Sequence, residues 1–124
     1  MKIGFIASSW DLLHPGHIFA LKICKAKCDH LIVGLHSGGR KKKLKETLFE
    51  RWIRLEGCRY VDTIIPYETE EDLENMLKIL KIDVRFLGEE YRKRKDITGK
   101  DIVPIEYIPR KHNWSSTALK KRMK

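Results

Sequence analysis

The sequence predicts a single α/β domain, a five-stranded parallel sheet with helices on both faces. Three observations predict it. Short strand-like segments alternate with longer helix-like ones, the order that builds a parallel sheet. The strand-like segments are apolar throughout rather than on one side, as strands covered on both faces are. At 124 residues, 42% of them hydrophobic, the chain has room for one core, so residues 1–124 form one domain.

Residues 2–7 (Lys-Ile-Gly-Phe-Ile-Ala) form the first strand. Pro15 suits a first helical position, where its missing N–H is not needed. From there to Lys27, Ile18, Leu21 and Ile23 recur among charged residues as a helix. The run 31–35 (Leu-Ile-Val-Gly-Leu) is the second strand. Residues 47–58 form a helix carrying Phe49, Trp52, Ile53 and Leu55, and 63–66 a short third strand. Thr69 and Asp72 then have capping-box spacing, and Leu73, Met76, Leu77 and Leu80 line one helical face. Residues 84–87 are the fourth strand. Residues 102–108 are the fifth, an edge strand because of Pro104. Ser115, Ser116 and Thr117 cap a last, basic helix.

The 26 Lys and Arg outnumber the 17 Asp and Glu, a formal net charge of +9. Such a surplus calls for a polyanionic partner: nucleic acid, a membrane surface or a small phosphorylated substrate. No apolar run reaches the roughly 18 residues of a membrane span, and the first nine residues do not read as a secretory signal. Cys24, Cys28 and Cys58 leave one thiol over in any pairing, which suggests a reducing cytoplasm. Cys24 and Cys28, with His17, have a spacing that could ligate a metal; small residues on an inner helix face are the simpler reading. Basic runs at 40–43, 92–95 and 120–124 could contact nucleic acid. They lack interleaved aromatics, and solvated loops and a basic C-terminus are the simpler reading.

Ligands in parallel sheets bind beyond the carboxyl ends of the strands, where the strand order reverses. The segment after the first strand is therefore the place to look. There Ser8, Ser9, Trp10 and Asp11 lead to His14-Pro15-Gly16-His17. Gly16 permits close approach to the backbone. The helix starting here aims N–H groups and a partial positive charge at an anion, and two imidazoles add donors. The pattern points to phosphate chemistry. Neither a G-x-S-x-G nucleophile elbow nor a Walker loop is present, which disfavours a serine hydrolase and a P-loop enzyme.

Asp11-Leu12-Leu13-His14-Pro15-Gly16-His17 resembles the H-x-G-H signature of the nucleotidylyltransferase superfamily. More narrowly it resembles the cytidylyltransferases typified by glycerol-3-phosphate cytidylyltransferase. Arg59-Tyr60-Val61-Asp62 leading to Ile64-Ile65-Pro66, and Arg110 followed by Ser115-Ser116-Thr117, are similar in the same order. The resemblance runs from Ile3 to the last helix. It implies a Rossmann-like fold and transfer of CMP from CTP to a small phosphorylated acceptor such as glycerol 3-phosphate, with release of pyrophosphate. Mg²⁺ bound with the triphosphate and a homodimer are implied too. An adenylyltransferase using ATP shares the H-x-G-H and Ser-Ser-Thr motifs and is the alternative.

The resemblance also implies roles. His14 and His17 stabilise the transition state. Lys43, within the run 40–43, meets the triphosphate, and Arg110 neutralises phosphate charge. Ser8, Ser9, Trp10, Asp11, Gly16, Gly88, Ser115, Ser116 and Thr117 form the nucleotide site, with Asp11 an outer partner of the metal. Arg51, of the pair Glu50-Arg51, is either a phosphate ligand or one half of a surface ion pair. Ser8 and Ser9 stand where the family has glycine and a small residue. Gly88-Glu89-Glu90-Tyr91 replaces a Gly-Asp-Asp-Trp-like stretch near base and acceptor. The chain offers no carboxylate cage for a metal. An acceptor phosphate is already anionic at neutral pH, so the site must align two polyanions rather than create a nucleophile.

Overall fold

The computed structural model describes residues 1–38 and 43–109. Strands β1 (Ile3–Ser8), β2 (His30–His36), β3 (Thr63–Tyr67), β4 (Val84–Gly88) and β5 (Ile105–Ile108) alternate with helices α1 (Pro15–Ala26), α2 (Leu48–Glu56) and α3 (Glu70–Ile79). A single 3-10 turn, Glu89–Tyr91, follows β4. All strand pairs are parallel, in the order β3-β2-β1-β4-β5. The order reverses between β1 and β4.

Side chains alternate across each strand and sort into two cores. Ile6, Leu31, Val33, Val84 and Phe86 pack with Leu21 and Cys24 of α1 and Leu55 of α2. Phe5 and Ile32 pack on the opposite face with Leu73 and Leu77 of α3. Helices therefore cover both faces, as the unbroken apolar strands predict. None is long and apolar enough to cross a membrane among the described residues.

The caps explain where helices begin. Pro15 occupies the first position of α1. In α3 the Asp72 N–H donates to Thr69 Oγ1 at 3.0 Å, and the Thr69 N–H returns a bond to Asp72. The Thr69 and Glu68 N–H groups, both donating to it, hold the Asp72 carboxyl below its ordinary range. Thr47 and Glu50 form the same reciprocal cap on α2, so Glu50 of the Glu-Arg pair is a helix cap.

Two expectations need correction. The fifth strand starts at Ile105, because the Ile102 N–H is turned to the Gly99 carbonyl and Pro104 has none to give. On α2, Phe49 and Ile53 are exposed; Arg51 and Leu55, one turn apart, form the inward stripe with Trp52 half-buried. Asp62, at the end of the Arg-Tyr-Val-Asp motif, binds Lys25 Nζ at 2.6 Å and the Leu31 N–H at 2.8 Å. It ties α1 to the start of β2, the end of the sheet away from the strand carboxyl termini. The last helix lies outside the described residues.

All three cysteines are free. Cys24 faces the core, where burial pushes its thiol up to about 12, so it is an inert packing residue. No group of three metal-ligating side chains occurs among the described residues.

Candidate active site

A cleft of about 730 Å³ opens at the carboxyl ends of β1 and β4, where the strand order reverses. Ser8, Trp10, His14, Gly16, His17 and Gly88 line it. The segment following β1 is unusual in its backbone. Trp10 and Leu12 have φ of 53° and 49°, the left-handed region that non-glycine residues seldom adopt. Their neighbours hold them there. The Trp10 indole donates to the Gly34 carbonyl at 3.0 Å. The Leu12 N–H donates to Glu46, and Asp11 accepts from the N–H groups of Lys45 and Glu46 at 2.9 and 3.0 Å. The constrained conformation falls on Trp10 and Leu12, not on Ser8 or Ser9.

This bend delivers His14 and His17 to the start of α1. Gly16 N–H donates to His14 Nδ1 at 3.1 Å, and His14 N–H donates to His17 Nδ1 at 3.2 Å. Two imidazoles thus perform the reciprocal capping usually done by a hydroxyl and a carboxylate. The consequence is chemical. Each Nδ1 is an acceptor, so each neutral ring carries its proton on Nε2. The rings stack with centroids 3.9 Å apart, and His17 meets Trp10 in a T-shaped contact. Pro15 has no N–H and that of Gly16 is taken. Of the donors the sequence suggests for an anion above this helix, the two imidazoles remain, through Nε2–H, while the first backbone N–H groups are absent or taken.

His17 is held neutral. Burial, aided by His14 and opposed by Asp11, pushes its pKa down to about 4 from 6.5. The unfolded chain takes up this proton first, so stability from the neutral ring is complete above pH 6.5 and lost as pH falls towards 4. Urea midpoints of the wild type should drop between pH 6.5 and 4.5. In His17→Asn the drop should be smaller, and equal slopes would refute a buried neutral His17.

Arg51 occupies neither of its two expected positions. It is 1% exposed and faces the protein interior. Its guanidinium donates to the carbonyls of Ser9 (2.9 Å), His36 (2.5 Å), Ser37 (2.9 Å) and Glu46 (3.3 Å). It ties together the loop after β1, the loop after β2 and the approach to α2. Asp11 is likewise a brace, both its oxygens being on backbone N–H groups. Ser9 is buried, its carbonyl on Arg51. Lys43 is exposed and does not line the cleft. At Gly88 an added Cβ would lie 2.5 Å from the Glu90 carboxylate, so glycine allows that carboxylate to fold over the strand end. Arg110, Ser115, Ser116 and Thr117 lie outside the described residues.

Two groups escaped the sequence reading. Arg85 of β4 is 5% exposed and lines the cleft with Tyr67. Burial and nearby Glu70 push the Tyr67 phenol up to about 12, so it is a neutral donor. The signal for Arg85 was present: a lone charge in a strand otherwise apolar on both faces. The basic run 92–95 is partly absorbed locally. Arg92 pairs with Glu89 and covers the Tyr107 ring, while Arg94 pairs with Asp96 and covers Tyr91.

Residues 5–122 match the family model described as cytidylyltransferase-like. The chain is 31% identical to glycerol-3-phosphate cytidylyltransferase of Bacillus subtilis, covering 99% of this chain and 98% of that one. It is 36% identical to the bifunctional protein HldE of Hyphomonas neptunium over 96% of its own length, but it spans only 26% of that protein. Among solved structures, the lipopolysaccharide core biosynthesis protein of Thermoplasma volcanium shares the fold. The TM-score is 0.68 at 22% identity, covering 88% of this chain and 95% of the other.

Proposed function

Because the chain belongs to the cytidylyltransferase-like family of nucleotidyltransferases, we propose that it transfers CMP from CTP to a small phosphorylated acceptor and releases pyrophosphate. The observation that carries this reading is the histidine pair: two Nε2–H donors fixed side by side in the switch-point cleft. A phosphate oxygen of the acceptor attacks the α-phosphorus. The bond from that phosphorus to the bridging oxygen breaks, and the electron pair leaves on pyrophosphate. No proton need be removed from the attacking oxygen. Negative charge grows on the bridging and non-bridging oxygens, and prealigned donors in the cleft stabilise it. His17, neutral over the working pH range, supplies a hydrogen bond rather than a proton.

Similarity over the full length to glycerol-3-phosphate cytidylyltransferase supports CTP as donor and a glycerol-phosphate-like acceptor. Mg²⁺ fits this reading only as an ion carried by the triphosphate. The described residues offer no ligand cluster, and Asp11 is occupied by backbone N–H groups. Bound through phosphate oxygens, the ion would neutralise triphosphate charge. Arg110, Ser115, Ser116 and Thr117 are the residues we assign to the triphosphate on the strength of the family motif.

A pyrophosphate-release screen crossing four nucleoside triphosphates with phosphorylated acceptors tests the proposal. CTP with an acceptor should exceed the other nucleotides by at least about 10-fold, the discrimination a few base-edge contacts give. ATP preference would move the chain to adenylyl transfer, and no release with any pair would overturn the reading.

A further inference from the structure

Arg85 stands in register with Phe5 of β1. Val84 and Phe86 serve the α1 face, so Arg85 turns to the α3 face, beside the Phe5 and Leu73 core. There its guanidinium donates from Nη1 to the Thr98 carbonyl. Its Nε has no partner, and it forms no ion pair among the described residues. Burial opposes its charge, with Tyr67, Glu70 and Tyr107 supporting it. A buried guanidinium with so little compensation is an unbalanced charge. It nonetheless has a built surround. Thr98 Oγ1 donates to Glu70 at 2.6 Å, and Gly99, at φ 70°, lets the loop turn where a Cβ would strike Leu77 at 2.5 Å.

We propose that Arg85 binds a phosphate oxygen of the acceptor. The proposal rests on the nucleotidyl-transfer reading and adds the residue that holds the second substrate. His14 and His17 reach the cleft from the α1 face and Arg85 from the α3 face, with the β1 and β4 ends between them. In-line displacement needs the entering oxygen opposite the leaving pyrophosphate. Groups on opposite faces of one sheet provide that opposition. A planar guanidinium fork suits a phosphate, and an incoming oxyanion supplies the direct ion-pair partner that Arg85 lacks among the described residues.

Arg85→Met keeps the apolar stem and removes the charge. The KM for glycerol 3-phosphate should rise about 10- to 100-fold, the effect of losing a charge-assisted hydrogen bond, with KM for CTP unchanged. Without ligand, the variant should melt at or above the wild-type temperature, because replacing an unbalanced buried charge is often stabilising. A merely structural role through Thr98 predicts a lower melting temperature and no selective change in KM. Binding is read separately without nucleotide. Glycerol 3-phosphate or orthophosphate should raise the wild-type melting temperature and glycerol should not, and the shift should vanish in Arg85→Met. Equal shifts in both proteins, or no shift with either phosphate, overturn the proposal. An Arg85-dependent shift in a protein that transfers no nucleotide upholds the anion site and overturns the transfer reading.

Discussion

His17→Ala should lower kcat for nucleotidyl transfer roughly 10²- to 10³-fold, the usual effect of removing one preorganised donor. The ring contributes twice. Its Nδ1 accepts the His14 N–H, which fixes both imidazoles, and its ring, with the proton on Nε2, lines the cleft. Since the donor acts on charge that develops in the transition state, kcat and kcat/KM should fall together while KM for CTP changes little. His17→Asn separates the two contributions. An amide oxygen can keep the bond from His14 without reproducing the reach of the Nε2–H, so Asn should restore stability more than turnover. Turnover within about threefold of wild type in both variants would remove His17 from the mechanism, threefold being under 1 kcal/mol of barrier.

Arg51→Met should destabilise the fold by about 3–5 kcal/mol, the scale for removing one partner from a buried charged network. Four carbonyl oxygens lose their donor together, at the end of β2, in the loops after β1 and β2 and on the approach to α2. Urea unfolding measures the loss directly. Because Ser9 follows β1 and precedes Trp10, and Ser8 and Trp10 line the cleft, kcat should also fall. Arg51→Lys should recover part of the stability, since an ammonium reaches fewer carbonyls at once. A loss below about 1 kcal/mol in Arg51→Met would mean that solvent or a neighbour replaces those bonds, and that Arg51 does not organise the loops.

The sheet was legible because its strands are apolar in a way that only double coverage explains, and α3 because cap and stripe agree. The cleft followed from topology alone. His14 and His17 were legible as a pair from their spacing around Pro-Gly at a strand-to-helix turn; that they also cap α1 reciprocally was not. What composition hides is burial of charge. An arginine in a helix reads as surface, so nothing in Glu50-Arg51 announced four inward hydrogen bonds. Asp11 read as a site residue because of its motif; both carboxylate oxygens proved to brace a loop 34 residues away. Arg85 was hidden by the apolar run that contains it. The same run was the clue, because a charge costs too much in a doubly covered strand to be there without a partner.

The surplus of positive charge divides along these lines. Arg51 and Arg85 are internal, Arg92 and Arg94 are locally paired, and a cleft for two polyanions uses what faces it.

The most direct measurement of the central claim follows the acceptor oxygen. Glycerol 3-phosphate labelled with ¹⁸O in its phosphate would be incubated with CTP, Mg²⁺ and the protein, and the products read by ³¹P NMR. Attack by the acceptor phosphate on the α-phosphorus predicts a new diphosphate linkage with ¹⁸O in the bridge, and unlabelled pyrophosphate. Label in released orthophosphate, or CTP consumed with no new linkage, would contradict nucleotidyl transfer and with it the role given to the histidine pair.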